Sequence, residues 1–266
     1  MKLTAIYIYP IKSFRGISLE VAELTPSGLL YDREWMIVNE NNEYITQREY
    51  PQMSQFEVKL NGTHLFLKNL SSSSEIEFDG TTHTETTIEV KIWNDQCNAF
   101  EMPQGINDWL RRELQIDCKM VRIKNTRQRQ IDLNFAPPEQ YTTFTDGFPF
   151  LLISEESLAL LNSKLDEEIE MERFRPNFVI SGGDAHVEDN MGKWTIGTAS
   201  FEAVKLCSRC VVTTIHLETA KKSKEPLKTL AKYRRFENKI MFGQNLLYTS
   251  GNQLQVGDKV TYLTSN

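Results

Sequence analysis

Cysteine and histidine are scarce in this chain of 266 residues, which contains four of each. The histidines are scattered without the spacing of metal ligands, and only Cys207 and Cys210 are close in sequence. A structural zinc site needs four nitrogen or sulfur ligands, usually in paired motifs, so this scarcity argues against one. The chain is long enough to bury a substantial core without disulfides or structural metals.

Long hydrophobic runs and an excess of positive charge are also missing. The strongest apolar run, FPFLLI, is far shorter than the roughly 20 residues that span a bilayer. The opening MKLTAIYIYPIKS lacks the three regions of a signal peptide and has the pattern of a first strand. The net charge of −6 argues against general nucleic-acid binding, which needs a basic face. We therefore expect a cytoplasmic protein without a membrane span.

Short apolar runs of period two, bounded by turn residues, dominate the sequence and predict strands. They include LTAIYIY, SLEVAEL, EWMIVNE, QFEVKL, CKMVRI, FPFLLI, FVISGG, TASFEAVKL, VVTTIHL, QNLLYTS and QVGDKVTYL. Helices are predicted at INDWLRREL, at SEESLALLNSKL with Ser154 as N-cap, and at EPLKTLAKYRR. The polar stretch SSSSEIEFDGTTHTETT predicts a hairpin, and NTRQRQIDLNFAPPEQYTTF predicts a long connection. The pattern favours a mostly β fold with some α, built from barrels.

The segment LCSRCVVTT contains the CxxC pair, which has several possible chemical roles. Zinc is disfavoured by the lack of further ligands. A thioredoxin-type pair should precede a helix, whereas β-branched residues follow here. Two interpretations stay open from the residues alone. One is a single reactive thiolate beside Arg209, and the other is a pair of buried core cysteines.

Six segments together resemble the MOSC-domain proteins that carry an N-terminal β-barrel domain. They are YPIKSFRG, YDREWM, RFRPNFVISG, LCSRCVVTTI, EPLKTLAKYR and the ending VGDKVTYL, and they occur in the family's order over nearly the whole chain. Within the family, the resemblance points to the mitochondrial amidoxime reducing component and its bacterial relatives. It implies an N-terminal β-barrel-like domain over 1–120 and a MOSC β-barrel domain with flanking helices over 121–266.

The resemblance also implies a molybdenum cofactor, in which the metal is held by a pterin dithiolene and one protein thiolate. The second cysteine of the pair, Cys210, matches the metal ligand, and a soft anionic thiolate suits that metal. Asp146 matches an acidic position near the metal and would assist proton delivery. Relatives often carry hydroxyl residues just after this aspartate, whereas Gly147 and Phe148 stand here.

Further matched positions are expected to hold the phosphate and pterin of the cofactor. Cations, amides and hydroxyls suit those groups because they replace water around them. The alternatives are a solvated Lys12, an Arg33 paired with a carboxylate on the surface, and an exposed turn aspartate at position 146. Ser208 and Arg209 are expected to offer backbone amides. The cofactor-binding positions are Lys12, Ser13, Arg33, Arg175, Asn177, Ser208 and Arg209.

The implied reaction is the reduction of N-hydroxylated or N-oxygenated small molecules such as amidoximes, hydroxylamines and N-hydroxylated base analogues. Some bacterial relatives carry a ferredoxin-type domain after the MOSC domain, but this sequence ends at VTYLTSN without the cysteines for one. We therefore expect a separate electron carrier of the ferredoxin, flavin or b-type cytochrome kind. Two rivals remain, a sulfur carrier or transferase with a persulfide on Cys210, and a non-catalytic binding module with core cysteines.

Overall fold

The computed structural model describes residues 1–264, so the last two residues of the expected second domain lie outside the described part. Strands make up most of the regular structure. In chain order, β1 to β21 are Lys2–Ile8, Ile17–Leu19, Val21–Thr25, Gly28–Leu29, Trp35–Val38, Phe56–Asn61, His64–Asn69, Glu75–Asp79, Thr87–Ile92, Asp95–Glu101, Lys119–Ile123, Arg129–Gln130, Tyr141–Thr142, Phe150–Ser154, Phe178–Ser181, Gly192–Ile196, Ala199–Ser208, Arg235–Phe236, Lys239–Ser250, Gln253–Gln255 and Val260–Thr264.

The helices are few and short. They are α1 (Gln104–Leu114), α2 (Glu155–Asn162) and α3 (Leu227–Leu230), with 3₁₀ turns at Pro51–Gln55, Met171–Phe174, Val187–Asp189 and Val211–Thr214. The predicted N-cap of α2 is confirmed, because the hydroxyl of Ser154 accepts a hydrogen bond from the amide of Ser157. Acidic residues in the first turn of α2 also complement the helix dipole. The expected class, mostly β with some α, is confirmed.

The largest sheet runs in the order β2-β1-β15-β14-β19-β17-β16-β21, with β18 paired to β19. The first strand of the chain thus lies among strands of the second half. The start of β1 also hydrogen-bonds around the start of β21, where the amide of Leu3 donates to the carbonyl of Asp258 and the amide of Val260 donates to that of Met1. These bonds draw the two ends of the sheet together in a barrel-like arrangement. Smaller sheets have the orders β5-β11-β10-β9, β6-β7-β8, β20-β3-β4 and β12-β13.

Two large hydrophobic clusters support these sheets. One lies within the nine-stranded sheet and contains Phe150, Phe178 and Trp194. The other packs α1 against strands of the first half and contains Trp35 and Trp109. Burial of such large side chains stabilises the fold by roughly 1.5–3 kcal/mol each. No helix in residues 1–264 is both long and apolar enough to cross a membrane.

Two predictions about local structure are wrong. The segment VVTTIHL contains a 3₁₀ turn over Val211–Thr214 rather than a strand. The hydroxyls of Thr213 and Thr214 donate to the carbonyls of Cys210 and Val211, which gives the backbone a local alternative to a sheet ladder. The stretch SSSSEIEFDGTTHTETT is not a hairpin, because β8 pairs with β7 whereas β9 pairs with β10. Alternation indicates a strand but does not name its partner.

Candidate functional site

Loops and strand ends from both halves of the chain line a cavity of about 260 Å³. Cross-strand pairing aligns part of its wall, because Asn245 lies opposite both Lys205 and Leu151. Every candidate site residue from the sequence lines this cavity, although the chain separates them by up to almost two hundred positions. These residues are Lys12, Ser13, Arg33, Asp146, Arg175, Asn177, Ser208, Arg209 and Cys210.

Three of these residues have left-handed backbone conformations. The φ angles are 72° at Ser13, 51° at Arg33 and 57° at Arg175. Residues with a Cβ adopt this region at a cost of about 1–3 kcal/mol each, and they keep it only where the surrounding structure imposes it. Here backbone hydrogen bonds impose it: Arg33 donates to the carbonyl of Tyr9, and Arg175 to that of Glu172. The strain therefore coincides with the wall of the cavity.

The ring of Tyr9 organises two of the guanidinium groups. Arg33 lies 4.3 Å and Arg175 4.2 Å from the ring centroid, within the range of a cation–π interaction. The side chain of Arg175 also donates to the carbonyl of Phe14 at 2.7 Å. Burial, with the repulsion from Arg33, lowers the pKa of Arg175 to about 10. Two like charges are thus held side by side in a partly dehydrated wall, which favours an anionic ligand.

A buried carboxylate, Asp32, holds this wall in position. It forms an ion pair with Arg33 and accepts hydrogen bonds from the amide of Tyr9 at 2.7 Å and from Asn177 Nδ2 at 3.0 Å. Asn177 Oδ1 accepts from the amide of Leu151. The polar atoms of Asn177 therefore already have protein partners, so its expected contact with a ligand stays a prediction. Arg33 is not a surface ion pair, because Asp32 is only 1% exposed.

Lys12 and Asp146 form the second charged element of the cavity. Lys12 Nζ donates to Asp146 Oδ1 at 2.6 Å and to the carbonyl of Phe144 at 3.0 Å. Burial lowers the pKa of Lys12 to about 8, against the opposing charge of Asp146. Lys12 is therefore buried, and the alternative of a solvated lysine is wrong.

The carboxylate of Asp146 is 66% exposed at the point where it lines the cavity. Desolvation by the surrounding protein would raise its pKa, but the charge and hydrogen bond of Lys12, with Arg48 and Arg33, hold that pKa well below its usual range. Asp146 is therefore ionised at neutral pH. A buried arginine, Arg129, anchors the loop that carries it by donating to the carbonyls of Thr143 and Thr145.

The CxxC segment lies at the end of β17, with both sulfurs half-buried at the cavity wall. Cys210 Sγ accepts a hydrogen bond from Arg48 Nη2 at 3.5 Å, and Cys207 Sγ accepts one from Arg209 Nη1 at 2.9 Å. The alternative in which both are core cysteines is therefore wrong. The amide of Arg209 donates to the carbonyl of Ile240, so a ligand contact from Arg209 would come from its side chain.

Arg48 and Lys205 line the cavity but were not among the candidates from the sequence. The turn residues of NENNEY, after the strand EWMIV, could have indicated that the chain returns beside Arg33 and delivers Arg48. Lys205 lies two residues before Cys207 in the same predicted strand, so its nearness to the cysteine pair in sequence was its signal. The guanidinium of Arg48 also lies 4.6 Å from the ring centroid of Trp93. Both residues add positive charge to the site.

The cavity therefore concentrates cations in an acidic protein. Six basic side chains and one carboxylate line it, and the basic ones are Lys12, Arg33, Arg48, Arg175, Lys205 and Arg209. Among these six, and within the described residues, only Lys12 and Arg33 pair with carboxylates, those of Asp146 and Asp32. The wall therefore keeps an excess of positive charge, which suits an anionic ligand. Within residues 1–264, no three His, Cys, Asp or Glu side chains cluster as ligands for a metal ion.

Two family models match the chain in sequence order. The MOSC N-terminal beta barrel domain matches residues 1–117, and the MOSC domain matches residues 139–261. The chain belongs to the MOSC-domain family. The predicted domain boundary near residue 120 lies between the two matched ranges and stays a prediction.

Two relatives show how the MOSC protein compares in length. Mitochondrial amidoxime-reducing component 1 of Homo sapiens is 31% identical over 97% of this chain and 82% of its own. Molybdenum cofactor sulfurase of Oryza sativa is 32% identical over 97% of this chain but only 35% of its own. The chain thus spans about a third of the sulfurase. The YUAD protein of Bacillus subtilis aligns over 97% of this chain and 93% of its own, with a TM-score of 0.42 and 11% identity.

Proposed function

We propose that this MOSC protein is a molybdenum-cofactor-dependent reductase of N-oxygenated small molecules. The observation that carries the proposal is the convergence of a half-buried cysteine, Cys210, with six cations on one cavity wall. A cofactor with a phosphate and a thiolate-bound metal needs these two kinds of group together. Family membership supports the same cofactor.

The residues of the cavity fit such a cofactor in chemistry. Cys210 offers the thiolate for the metal, and the guanidinium of Arg48 faces its sulfur and stabilises its negative charge. Arg33 and Arg175, fixed around Tyr9, present forks suited to phosphate. Ser13, Asn177, Ser208 and Arg209 are proposed to complete the contacts. When bound, the cofactor would supply the two-electron redox change that the protein side chains lack.

The reaction breaks one N–O bond. An amidoxime takes up two electrons and two protons, and it yields an amidine and water. Because Asp146 is held ionised and the pKa of Lys12 is about 8, the mobile proton of this pair resides on Lys12 Nζ. We propose that Lys12 Nζ supplies a proton to the departing oxygen, a role for which a pKa near the working pH is favourable. Asp146 is proposed to assist by orienting Nζ through their hydrogen bond.

The basic wall of the cavity favours a reductase over a sulfur carrier. A persulfide carrier on Cys210 needs an accessible thiol but not a wall of phosphate-binding cations. We further propose that a separate electron-carrier protein supplies the electrons and that the enzyme works in the cytoplasm.

The direct test is turnover by the cofactor-loaded protein. Purified protein from cells that make the cofactor is supplied with benzamidoxime and reduced methyl viologen, and benzamidine is quantified by mass spectrometry. We expect product from the native protein and from the matched control Cys97→Ala, since Cys97 is buried away from the cavity. The variant Cys210→Ala should form at least about 100-fold less, because loss of a ligand exceeds the 10–100-fold cost of losing an outer contact.

Two results would contradict the proposal. The first is a molybdenum-loaded protein that leaves benzamidoxime unchanged with this donor. The second is a sulfur atom bound to Cys210, seen by intact mass and released by a thiol reductant, in protein that contains no molybdenum. The second result would favour the sulfur carrier instead.

A further inference from the structure

The segment from residue 219 to residue 239 is positively charged, whereas the protein as a whole is negatively charged. It contains eight lysines and arginines and two glutamates, in a chain whose net charge is −6. One of the eight, Arg234, is buried and pairs with Asp189 at 2.6 Å. The other seven are exposed, and none forms an ion pair within the described part of the chain. We call these seven the basic surface: Lys221, Lys222, Lys224, Lys228, Lys232, Arg235 and Lys239.

Lys222 of the basic surface lies close to the CxxC segment on one side. Its Nζ donates to the backbone carbonyl of Arg48 at 2.7 Å, and the side chain of Arg48 reaches the sulfur of Cys210. Helix α3, which carries Lys228, packs against the 3₁₀ turn that follows Cys210. A single residue, Arg48, therefore links Lys222 of the basic surface to Cys210, the candidate metal ligand.

Lys239 joins the basic surface to the cavity from the other side. Its neighbour Ile240 accepts a hydrogen bond from the amide of Arg209, inside the cysteine motif. Lys239 also lies close enough to the cavity residue Lys205 to contribute, after burial, to lowering the pKa of Lys205. Positive charge therefore flanks the cysteine motif on both sides.

Two apolar side chains are exposed in the same region. Val211, next to Cys210, is 37% exposed, and Phe236, next to Arg235, is 47% exposed. Exposed apolar residues inside a charged rim are the composition of a protein–protein interface.

We propose that the basic surface is the docking site for an electron-carrier protein with an acidic surface, an inference that rests on the proposed function. Opposite charges would steer the carrier to the side of the cavity where Cys210 lies. A carrier of one electron docks twice for each N–O bond, is oxidised each time, and two protons enter from solvent. Nucleic acid is disfavoured because the rest of the chain is strongly acidic.

The test compares two triple variants of the cofactor-loaded protein. One carries Lys224→Glu, Lys228→Glu and Lys232→Glu. The matched control carries Lys59→Glu, Lys193→Glu and Lys259→Glu, three exposed lysines outside the basic surface with the same change of charge. Benzamidoxime reduction is driven in turn by a plant-type [2Fe–2S] ferredoxin, a flavodoxin and a soluble b-type cytochrome, each an acidic carrier kept reduced by its own reductase.

We expect kcat/KM for at least one carrier to fall about 10-fold or more in the first triple at low salt, within the range of electrostatic steering. The control should change less than about twofold. The difference should vanish near about 1 M salt, where the Debye length is about 3 Å. Reduced methyl viologen in that salt should drive all three proteins equally, because the substituted lysines do not line the cavity.

Equal carrier-driven rates in the two triples would overturn the proposal, as would transfer from none of the three carriers. Binding of phosphatidylserine vesicles that is lost only in the first triple, with carrier rates unchanged, would overturn it in favour of a membrane surface. Absence of viologen-driven turnover would instead remove the proposed function. Calorimetric titration of the carriers into the two triples would then still decide whether the basic surface docks them.

Discussion

The four cysteines form two pairs with opposite environments. Cys97 and Cys118, near the sheet of β9 to β11, are 4% and 2% exposed, and burial raises the pKa of each thiol to about 11. Cys207 and Cys210 are half-buried at a cavity, and each sulfur accepts a hydrogen bond from an arginine. The same residue type is therefore inert packing in one place and a potential ligand in the other.

The difference between the pairs comes from long-range neighbours rather than from the cysteines themselves. Arg48 precedes Cys210 by 162 positions, and the fold alone brings them together. A guanidinium beside a thiol favours the thiolate, whereas an apolar shell opposes it. Substitution of those neighbours should therefore change the reactivity of the cysteines.

Alkylation of the native apoprotein should separate the two pairs most strongly. At pH 8, iodoacetamide should label Cys207 and Cys210 at least about 100-fold faster than Cys97 and Cys118, because the thiolate is the reactive species and burial suppresses it. Rates are read from peptide mass spectra over time. Labelling of all four in denaturant is the control, and equal rates in the folded protein would break the comparison.

Removing the guanidinium beside Cys210 should give the next largest effect. Arg48→Gln should lower viologen-driven amidoxime reduction by about 10–100-fold, the cost of losing a partner of a metal ligand. Arg48→Lys should recover part of the rate because it keeps the charge. The control Arg112→Gln changes a 63% exposed arginine outside the cavity. If Arg48→Gln reduces amidoxime at the same rate as the native protein, the contact between Arg48 and Cys210 does not contribute to turnover.

A smaller, pH-dependent effect should come from Lys12. Its pKa in the folded protein is about 8, below the ordinary 10.5, so its charge is lost as pH rises through about 8. Affinity of the apoprotein for pyrophosphate should therefore fall by up to about tenfold between pH 7 and 9.5, as one cation of the site is neutralised. Calorimetric titrations provide the measurement. Lys12→Arg should lose clearly less affinity over the same range, in which only Arg175, with a pKa of about 10, begins to lose its charge. An equal fall in that variant would assign the effect to a group other than Lys12.

The smallest effect should come from the buried pair. Cys97→Ala and Cys118→Ala should each lower the free energy of unfolding by about 1 kcal/mol through lost packing, and so reduce Tm by about 2–4 °C. Neither should alter turnover. Thermal scans and the viologen assay test both parts, and a loss of activity without loss of stability would contradict the division between the pairs.

Much of the fold was accessible from sequence because strand periodicity and capping are local. The alternation of TASFEAVKL predicted most of β17, and Ser154 marked the start of α2. The errors arose where side chains compete with the ladder, as at Thr213 and Thr214, or where a strand must choose a partner. That choice depends on residues far away in the chain.

In the candidate site, too, the residue types could be predicted from sequence whereas the long-range contacts could not. Motif resemblance supplied the nine candidate residues, all of which line one cavity. Arg48 was missed because the turn at NENNEY indicates that the chain returns beside Arg33, but not that the side chain of Arg48 contacts Cys210. The sequence also gave no indication that Asn177 would have its amide occupied by Asp32 and Leu151. The contacts of a side chain, unlike its residue type, can be known only from the tertiary structure.

We propose that Cys210, and not its neighbours, holds a molybdenum cofactor. The most direct measurement is the molybdenum and pterin content of native protein beside Cys210→Ala and Cys207→Ala, all purified from cells that make the cofactor. Elemental mass spectrometry and fluorescence of the oxidised pterin give the two values. We predict near-stoichiometric molybdenum in native protein and Cys207→Ala, and its loss in Cys210→Ala. Native protein without molybdenum or pterin, or equal molybdenum in all three, would contradict the account.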